Sequence, residues 1–328
     1  MSLPNFLSES GGGFYIYAPK RDAHLRKGWR ETWPQAYISE LSNLRDAFQS
    51  ESLSFGVALS PFGLGEKPTS IDLALLKQRL ALLQSLNIDQ LGLFFDDMPS
   101  TPNLLKVQKQ IIDLALEYFP EGLIFCPSYY SFDPILDKVF GQRPDGYMEG
   151  LSGIPWGVEI CWTGPKVISE EISAEHLQEV QELIGRKPFI WENLYANDGP
   201  KNCKFLKLKY LTGRDDSMLS FTSGVGFNLM NQPYLSQILY LSSLLSLRDG
   251  LTPMSAFETS CSKLLTPGMA EFLINHREKF LTHGLDQLPE NEKLAWINEL
   301  QDHFDGASFE IQAWLKGEYL VGPECLTD

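Results

Sequence analysis

The chain has 328 residues, 43% of them hydrophobic, and carries 27 Lys and Arg against 42 Asp and Glu, a formal net charge of −15. That is enough apolar material for one large domain with an appendage, and the negative charge argues against nucleic acid and acidic membrane surfaces as partners. The N-terminal string MSLPNFLSESGGGF has neither the basic start nor the apolar run of a signal peptide, no stretch reads as a membrane span, and the five scattered cysteines (Cys126, Cys161, Cys203, Cys261, Cys325) form no CxxC pair; the expected setting is the cytoplasm, with the thiols reduced.

Residues 1–12 read as a leader, in which Gly11-Gly12 and the following Gly13 suggest flexibility. From residue 13 onward short β-rich runs alternate with longer amphipathic ones, and strands are predicted at Phe14–Ala18, Phe55–Leu59, Leu91–Phe95, Leu123–Cys126, Val158–Trp162, Phe189–Trp191 and Val225–Leu229. Among the helices between them, 70–86 places Ile71, Leu75, Leu76, Leu80, Leu83 and Leu86 on one face, and 173–184 carries Leu177, Val180 and Ile184 in helical register. A long apolar helix is predicted at 233–248, then helices alone at about 267–282, 289–303 and 307–316. Asp249-Gly250 and Pro253 break the pattern and set a boundary near 250, giving a barrel over 13–250 and a helical domain over 251–328. Strand–helix alternation implies an α/β fold with a parallel sheet. A (β/α)8-type barrel closes with eight strands, and seven are visible, so the barrel is expected to be incomplete at its N-terminal end.

Such barrels keep their chemistry at the C-terminal ends of the strands. Here YIYA leads to Pro19-Lys20-Arg21-Asp22, LGLFF to Asp96-Asp97, LIFC to Pro127-Ser128-Tyr129-Tyr130, VEICW to Thr163-Gly164-Pro165, FIW to Glu192-Asn193 and Ala196-Asn197-Asp198-Gly199, and GVGF to Asn228 and Asn231-Gln232. Each exit has a plainer reading: Asn197-Asp198 as a turn, Asp96-Asp97 as a helix cap beside a solvated neighbour, Tyr129, Tyr130, Trp162 and Trp191 as core. Taken together, aromatic rings, amides and a carboxylate pair are the equipment of a sugar site. The histidines (His24, His176, His276, His283, His303) form no HxH or HExxH, and no GxSxG, P-loop or GxGxxG occurs, so no metal and no cofactor is expected.

The strings YIYAPKRD (15–22), WRETWP (29–34), FFDD (94–97), FCPSYY (125–130), CWTGPKVIS (161–169), WENLYANDG (191–199) and FNLMNQ (227–232) occur in an order that resembles glycoside hydrolase family 84, the β-N-acetylglucosaminidases that include O-GlcNAcase. The resemblance covers roughly residues 13 to 240 and implies a retaining exo-β-N-acetylglucosaminidase, acting on N-acetylglucosamine-containing glycans or O-GlcNAc proteins. In its substrate-assisted mechanism the 2-acetamido oxygen attacks the anomeric carbon and forms an oxazoline, one of the exceptions to the enzyme-nucleophile scheme. Carried over by position, Asp96 orients the acetamido group and Asp97 is the general acid and base. Lys20, Tyr130, Thr163, Trp191, Asn193, Asp198 and Asn228 are then the substrate-binding residues. AWLKGEY (313–319) and the terminal CLTD resemble the helical extension of bacterial members and suggest an intact C-terminus.

Departures accompany the match. The family's opening strand, ending in an EGFYG-like string, and its helix have no counterpart before Gly13; Arg21 and Glu192 stand where an acid and an Asp are usual, and Tyr129 where Glu or similar is usual. A missing βα unit leaves edge strands, which invites cover by residues 1–12 or by a second protomer in a homodimer. Two other functions compete: a non-catalytic N-acetylglucosamine-binding or scaffold protein descended from such an enzyme, and a hyaluronidase-like glycosidase, for which the charge is awkward.

Overall fold

The computed structural model describes residues 2–214 and 217–322; Cys325 and the CLTD string lie outside the described residues. Seven strands follow one another in chain order in one sheet, β1 Phe14–Tyr17, β2 Ser54–Leu59, β3 Gln90–Phe94, β4 Leu123–Cys126, β5 Val158–Trp162, β6 Phe189–Glu192 and β7 Gly224–Phe227. Pairing is parallel from β1 through β6. The helices are α1 Leu3–Glu9, α2 Gln35–Gln49, α3 Ser70–Ser85, α4 Leu104–Leu116, α5 Pro134–Phe140, α6 Tyr147–Gly150, α7 Ala174–Ile184, α8 Pro233–Leu247, α9 Pro253–Leu264, α10 Pro267–Thr282, α11 Glu290–Leu300 and α12 Gly306–Leu315. This is the expected α/β barrel type, with seven strands in the sheet among the described residues against the eight that close a barrel. All seven predicted strands are present.

The chain divides into two compact units. Unit 1 holds the residues up to Trp162 together with Glu175–Ile190 and Phe221–Gly224. Its core is the inner strands, whose runs are apolar because helices cover one sheet face and the barrel interior the other: Phe55, Val57, Leu91, Leu93, Leu123, Phe125 and Ile160 are wholly buried. Register pairs Leu91 with Leu123 and Leu93 with Phe125, stacking large side chains across neighbouring strands. Phe14 at the start of β1 meets Phe189 at the start of β6, ring centroids 5.9 Å apart, so the sheet curls within this unit. β1 is only half-buried along its length, as an edge strand is.

Two expectations change in unit 1. The glycine run is a helix stop rather than a flexible tether: Phe6 and Leu7 of α1 are buried, Gly11 adopts φ +74°, and the amides of Gly11 and Gly12 bond the carbonyls of Ser8 and Leu7. Those paired bonds are a Schellman cap, which needs a left-handed residue and so favours glycine. On α3, Leu76, Leu80 and Leu83 are buried, but Ile71 is 70% exposed and Arg79 takes a place on the buried face. Arg79 donates to the carbonyls of Trp29 and Glu31 and lies 3.8 Å over the Trp33 ring, so a cation fills the position the apolar period assigned to the stripe.

Unit 2 comprises Thr163–Ala174, Trp191–Ser220 and the chain from Val225 onward. Its core joins Leu235 and Ile238 of α8, Phe257 of α9, Phe280 of α10, Leu300 of α11 and Trp314 of α12, and the Trp314 indole N–H donates to the Cys203 carbonyl. Glu310 of α12 is buried, and its two carboxyl oxygens accept the amides of Tyr234 and Leu235 in the first turn of α8, at 2.8 and 2.9 Å. Burial outweighs those bonds and pushes the carboxyl up from the ordinary 4.5 to about 7. A carboxyl whose folded-state value is raised binds its proton more tightly folded than unfolded, so its stabilising contribution is full below pH 4.5 and is lost as pH rises through about 7. We expect unfolding free energy to fall by about 3 kcal/mol across that window on this account alone. Glu310→Gln should flatten the dependence by the same amount in denaturant titrations at pH 5 and pH 8; parallel curves for the two proteins would reject the assignment.

Candidate active site

Asp96 and Asp97 follow β3 after one intervening residue, Phe95, and in unit 1 the structure gathers Lys20 and Arg26 against them. Lys20 Nζ is 3.0 Å from Asp97 Oδ2 and 3.8 Å from Asp96 Oδ2. Arg26 Nη2 is 3.3 Å from the same Asp97 oxygen, and Nη1 is 4.0 Å from Asp96 Oδ2. Asp97 is 2% exposed, and its Oδ1 is buried without a hydrogen-bond partner. Its backbone has φ +60°, a left-handed conformation that costs a non-glycine residue about 1–2 kcal/mol and persists where surrounding structure enforces it. A buried carboxylate with one unpartnered oxygen and a sparsely populated backbone conformation marks this turn as a candidate functional position.

What holds this turn is a closed ring of buried polar groups. The Ser128 hydroxyl donates to the Phe95 carbonyl at 2.7 Å and accepts from the Gln108 amide at 3.0 Å. Gln108 Oε1 accepts from the Tyr147 hydroxyl, which accepts in turn from the Ser128 amide. Every member finds a partner, as buried polar groups require, and the carbonyl immediately before Asp96 is fixed. Facing it, the loop after β1 is secured by Asp22, which accepts the His24 amide and the hydroxyls of Tyr17 and Tyr37. Burial and the Asp22 charge push the Tyr17 hydroxyl up to about 12, so it stays a donor.

At the end of β4, Tyr130 is buried. Tyr129 belongs to the packing, its hydroxyl donating to the Gly141 carbonyl at 2.6 Å and its ring edge-on to Tyr147. Trp162 is also core: its indole N–H donates to His176 Nε2 at 2.9 Å, and burial holds that imidazole below its ordinary value. Cys126 lies beside Cys161, and both are buried. Burial, the neighbouring thiol and the charges of Asp96 and Asp97 together push the Cys126 thiol well above its usual range. In unit 2, burial raises Cys261 to about 12. A thiol rather than a thiolate is unreactive. Iodoacetamide at pH 7.5 should therefore leave Cys126 and Cys261 unlabelled in the folded protein and label both in denaturant, as read by peptide mass spectrometry.

The remaining expected residues lie in unit 2. Asn193, after β6, donates from its amide to the Val167 carbonyl at 3.0 Å and accepts the Asn228 side-chain amide at 2.9 Å, so these two are brought together. Thr163 is buried, with its hydroxyl donating to the Lys166 carbonyl. Trp191 and Asp198 are half-buried. The adjacent Asn197 is a structural residue, bonded to Gln232, the Phe205 carbonyl and the Asn231 amide. Beneath Asn193 sits an ion pair foreseen by no motif: Arg214 forks onto Glu192 at 2.7 and 2.8 Å, with side chains 1% and 2% exposed, and also donates to the carbonyls of Ser169 and Glu170. It ties the end of β6 to the segment that supplies the Val167 carbonyl. Arg26 and Arg214 are the two site residues that sequence reasoning missed; WRETWP, just after Arg26, was the nearest signal. Among the described residues no group of His, Cys, Asp and Glu could hold a metal ion.

A family model for β-N-acetylglucosaminidase matches residues 1–275. The O-GlcNAcases of Rattus norvegicus and Mus musculus are each 31% identical to the chain over 227 residues, 64% of this chain. That match covers 24% of the length of those curated relatives, so the chain spans about a quarter of them. A mutant of the O-GlcNAc hydrolase of Thermobaculum terrenum superposes with a TM-score of 0.75 at 23% identity, over 97% of this chain and 77% of that one, a likeness of fold. The family strings and the model agree over the same barrel, and the chain belongs to the β-N-acetylglucosaminidases of glycoside hydrolase family 84.

Proposed function

We propose that the protein is a retaining exo-β-N-acetylglucosaminidase that removes terminal β-linked N-acetylglucosamine from glycans or from O-GlcNAc proteins in the cytoplasm. The observation that carries this reading is Asp97 itself: buried, left-handed in backbone, with one oxygen against two cations and the other unpartnered, directly beside a second carboxylate. In the proposed reaction Asp96 accepts the acetamido N–H and turns the acetamido oxygen toward the anomeric carbon. Asp97 protonates the departing oxygen, the oxazoline forms, and Asp97 then takes a proton from the water that opens it. Lys20, Tyr130, Thr163, Trp191, Asn193, Asp198 and Asn228 are proposed as the sugar contacts. The substrate supplies its own nucleophile, so a carboxylate pair suffices.

The test is the stereochemical course on a 4-methylumbelliferyl β-N-acetylglucosaminide followed by proton NMR. The β-anomer of N-acetylglucosamine should appear first and then mutarotate. Initial release of the α-anomer would overturn the retaining mechanism, and binding of N-acetylglucosamine with neither hydrolysis nor tighter binding of a thiazoline would favour the sugar-binding reading. The half-buried edge strand β1 also supports pairing with a second copy. Light scattering that returns a monomer at all concentrations rejects that pairing.

A further inference from the structure

Two cations converge on one oxygen of Asp97, and they are held in different ways. Lys20 reaches Oδ2 from a half-buried loop position at the strand exit, where the family resemblance would have it turn to sugar hydroxyls. Arg26 is walled in. Its Nη1 lies 3.5 Å from the Ser60 hydroxyl, and its guanidinium carbon lies 4.8 Å from the centre of the Phe62 ring. The backbone on either side is pinned, with the Ser60 amide on the Leu25 carbonyl and the Trp29 amide on the carbonyl of Arg26 itself. Leu25 and Trp29 are buried, and the Trp29 indole N–H donates to the Phe62 carbonyl at 2.8 Å. Arg26 is thus held against Asp97 by packing and by the bonds that fix its neighbours.

We infer that Arg26 is a positioning residue that fixes Asp97 Oδ2, leaves Oδ1 as the proton-bearing oxygen, and extends the enzyme's range to poorly acidic leaving groups. This rests on the proposed function, in which Asp97 is the acid. In the first step the Oδ1–H bond breaks and the proton passes to the glycosidic oxygen. The bond from that oxygen to the anomeric carbon breaks with its electron pair leaving on the alcohol, while the acetamido oxygen bonds to the anomeric carbon. Asp97 is left as a carboxylate, and the new charge, delocalised onto Oδ2, meets the guanidinium at 3.3 Å. A preorganised cation at the place where charge develops favours the transition state over the ground state. The benefit scales with how far proton transfer must proceed, so it is greatest for alcohols such as serine, threonine or a sugar hydroxyl and small for nitrophenols, which leave without help.

The experiment compares Arg26→Met with the parent chain on a series of aryl β-N-acetylglucosaminides running from dinitrophenyl to phenyl. The expected result is a loss in kcat/KM of about 10- to 100-fold on the phenyl substrate and less than about 3-fold on the dinitrophenyl one, with Arg26→Lys recovering most of the difference. An equal loss across the series would mark Arg26 as merely structural and overturn the inference. Should Arg26→Met fail to fold, Arg26→Gln decides the same question, because it keeps a donor toward Asp97 without the charge. Asp97→Asn in the same series separates the two claims. If it is no slower on the phenyl substrate than the parent chain, the proposed function fails; if it is strongly slowed while the Arg26 variants run parallel to the parent, only the role of Arg26 fails.

Discussion

Asp97→Asn should lower turnover of aryl β-N-acetylglucosaminides that have poor leaving groups by about 10²- to 10⁴-fold, the range that a positioned general acid supplies. Asparagine is the substitution to make. It is the same size as aspartate, it accepts the left-handed φ of +60° at this position more readily than most residues, and it keeps an oxygen for Lys20 and Arg26. Alanine would add backbone strain to the lost proton and blur the reading. KM should change much less than kcat, since the lost interaction belongs to the transition state, and the circular dichroism spectrum should match the parent. Turnover within about twofold of the parent on those substrates would remove Asp97 from the mechanism.

The second large effect is one of stability. Arg214→Met should destabilise the protein by about 3–5 kcal/mol, because it leaves Glu192 charged in a place with 2% side-chain exposure. It also releases the Ser169 and Glu170 carbonyls. Urea titration reads the loss, and hydrogen exchange should locate it in 163–174. The pair itself need not be stabilising overall: replacing both members, Arg214→Met with Glu192→Met, should recover much of the loss, since an apolar pair of similar volume avoids the desolvation of two ions. Activity supplies the independent reading. The double variant should stay impaired in KM, because Asn193 would no longer be braced against Val167. A double variant as unstable as the single one would show that the carbonyl bonds, rather than the orphaned charge, dominate.

The strands were legible because burial on both faces forces continuous apolar runs: LGLFF and LIFC can be little else. Three tail helices, Pro267–Thr282, Glu290–Leu300 and Gly306–Leu315, were legible by period, whereas Pro253–Leu264 was missed because Pro253 was read as a break when it opens the first turn of a helix. Ile71 was misassigned, and the burial of Arg79 was not foreseen, for a related reason. A helical period identifies a stripe but not its edges, and it cannot know that Trp33 and two backbone carbonyls await a guanidinium. The carboxylate pair stood out because the two acids are adjacent in sequence. Its support did not, for Arg26 meets Asp97 across 71 positions and Tyr147 meets Gln108 across 39. Local spacing carries no signal at that range. The reading of the glycine run erred in the other direction: three glycines suggest a tether, whereas one of them was needed for a left-handed helix stop.

The left-handed backbone at Asp97 bears on how such a chain would change under relaxed selection. Aspartate codons lie one base from those of asparagine and glycine, the two residues most at ease in that conformation. A lineage that had given up hydrolysis could reach either in a single step, and glycine would relieve about 1 kcal/mol or more of strain. Drift therefore runs downhill away from aspartate at this position, and a pseudoenzyme would be expected to show Asn or Gly there long before the fold decayed. On the proposed reading of Asp97 as the acid, position 97 would sort active from inactive chains of this architecture.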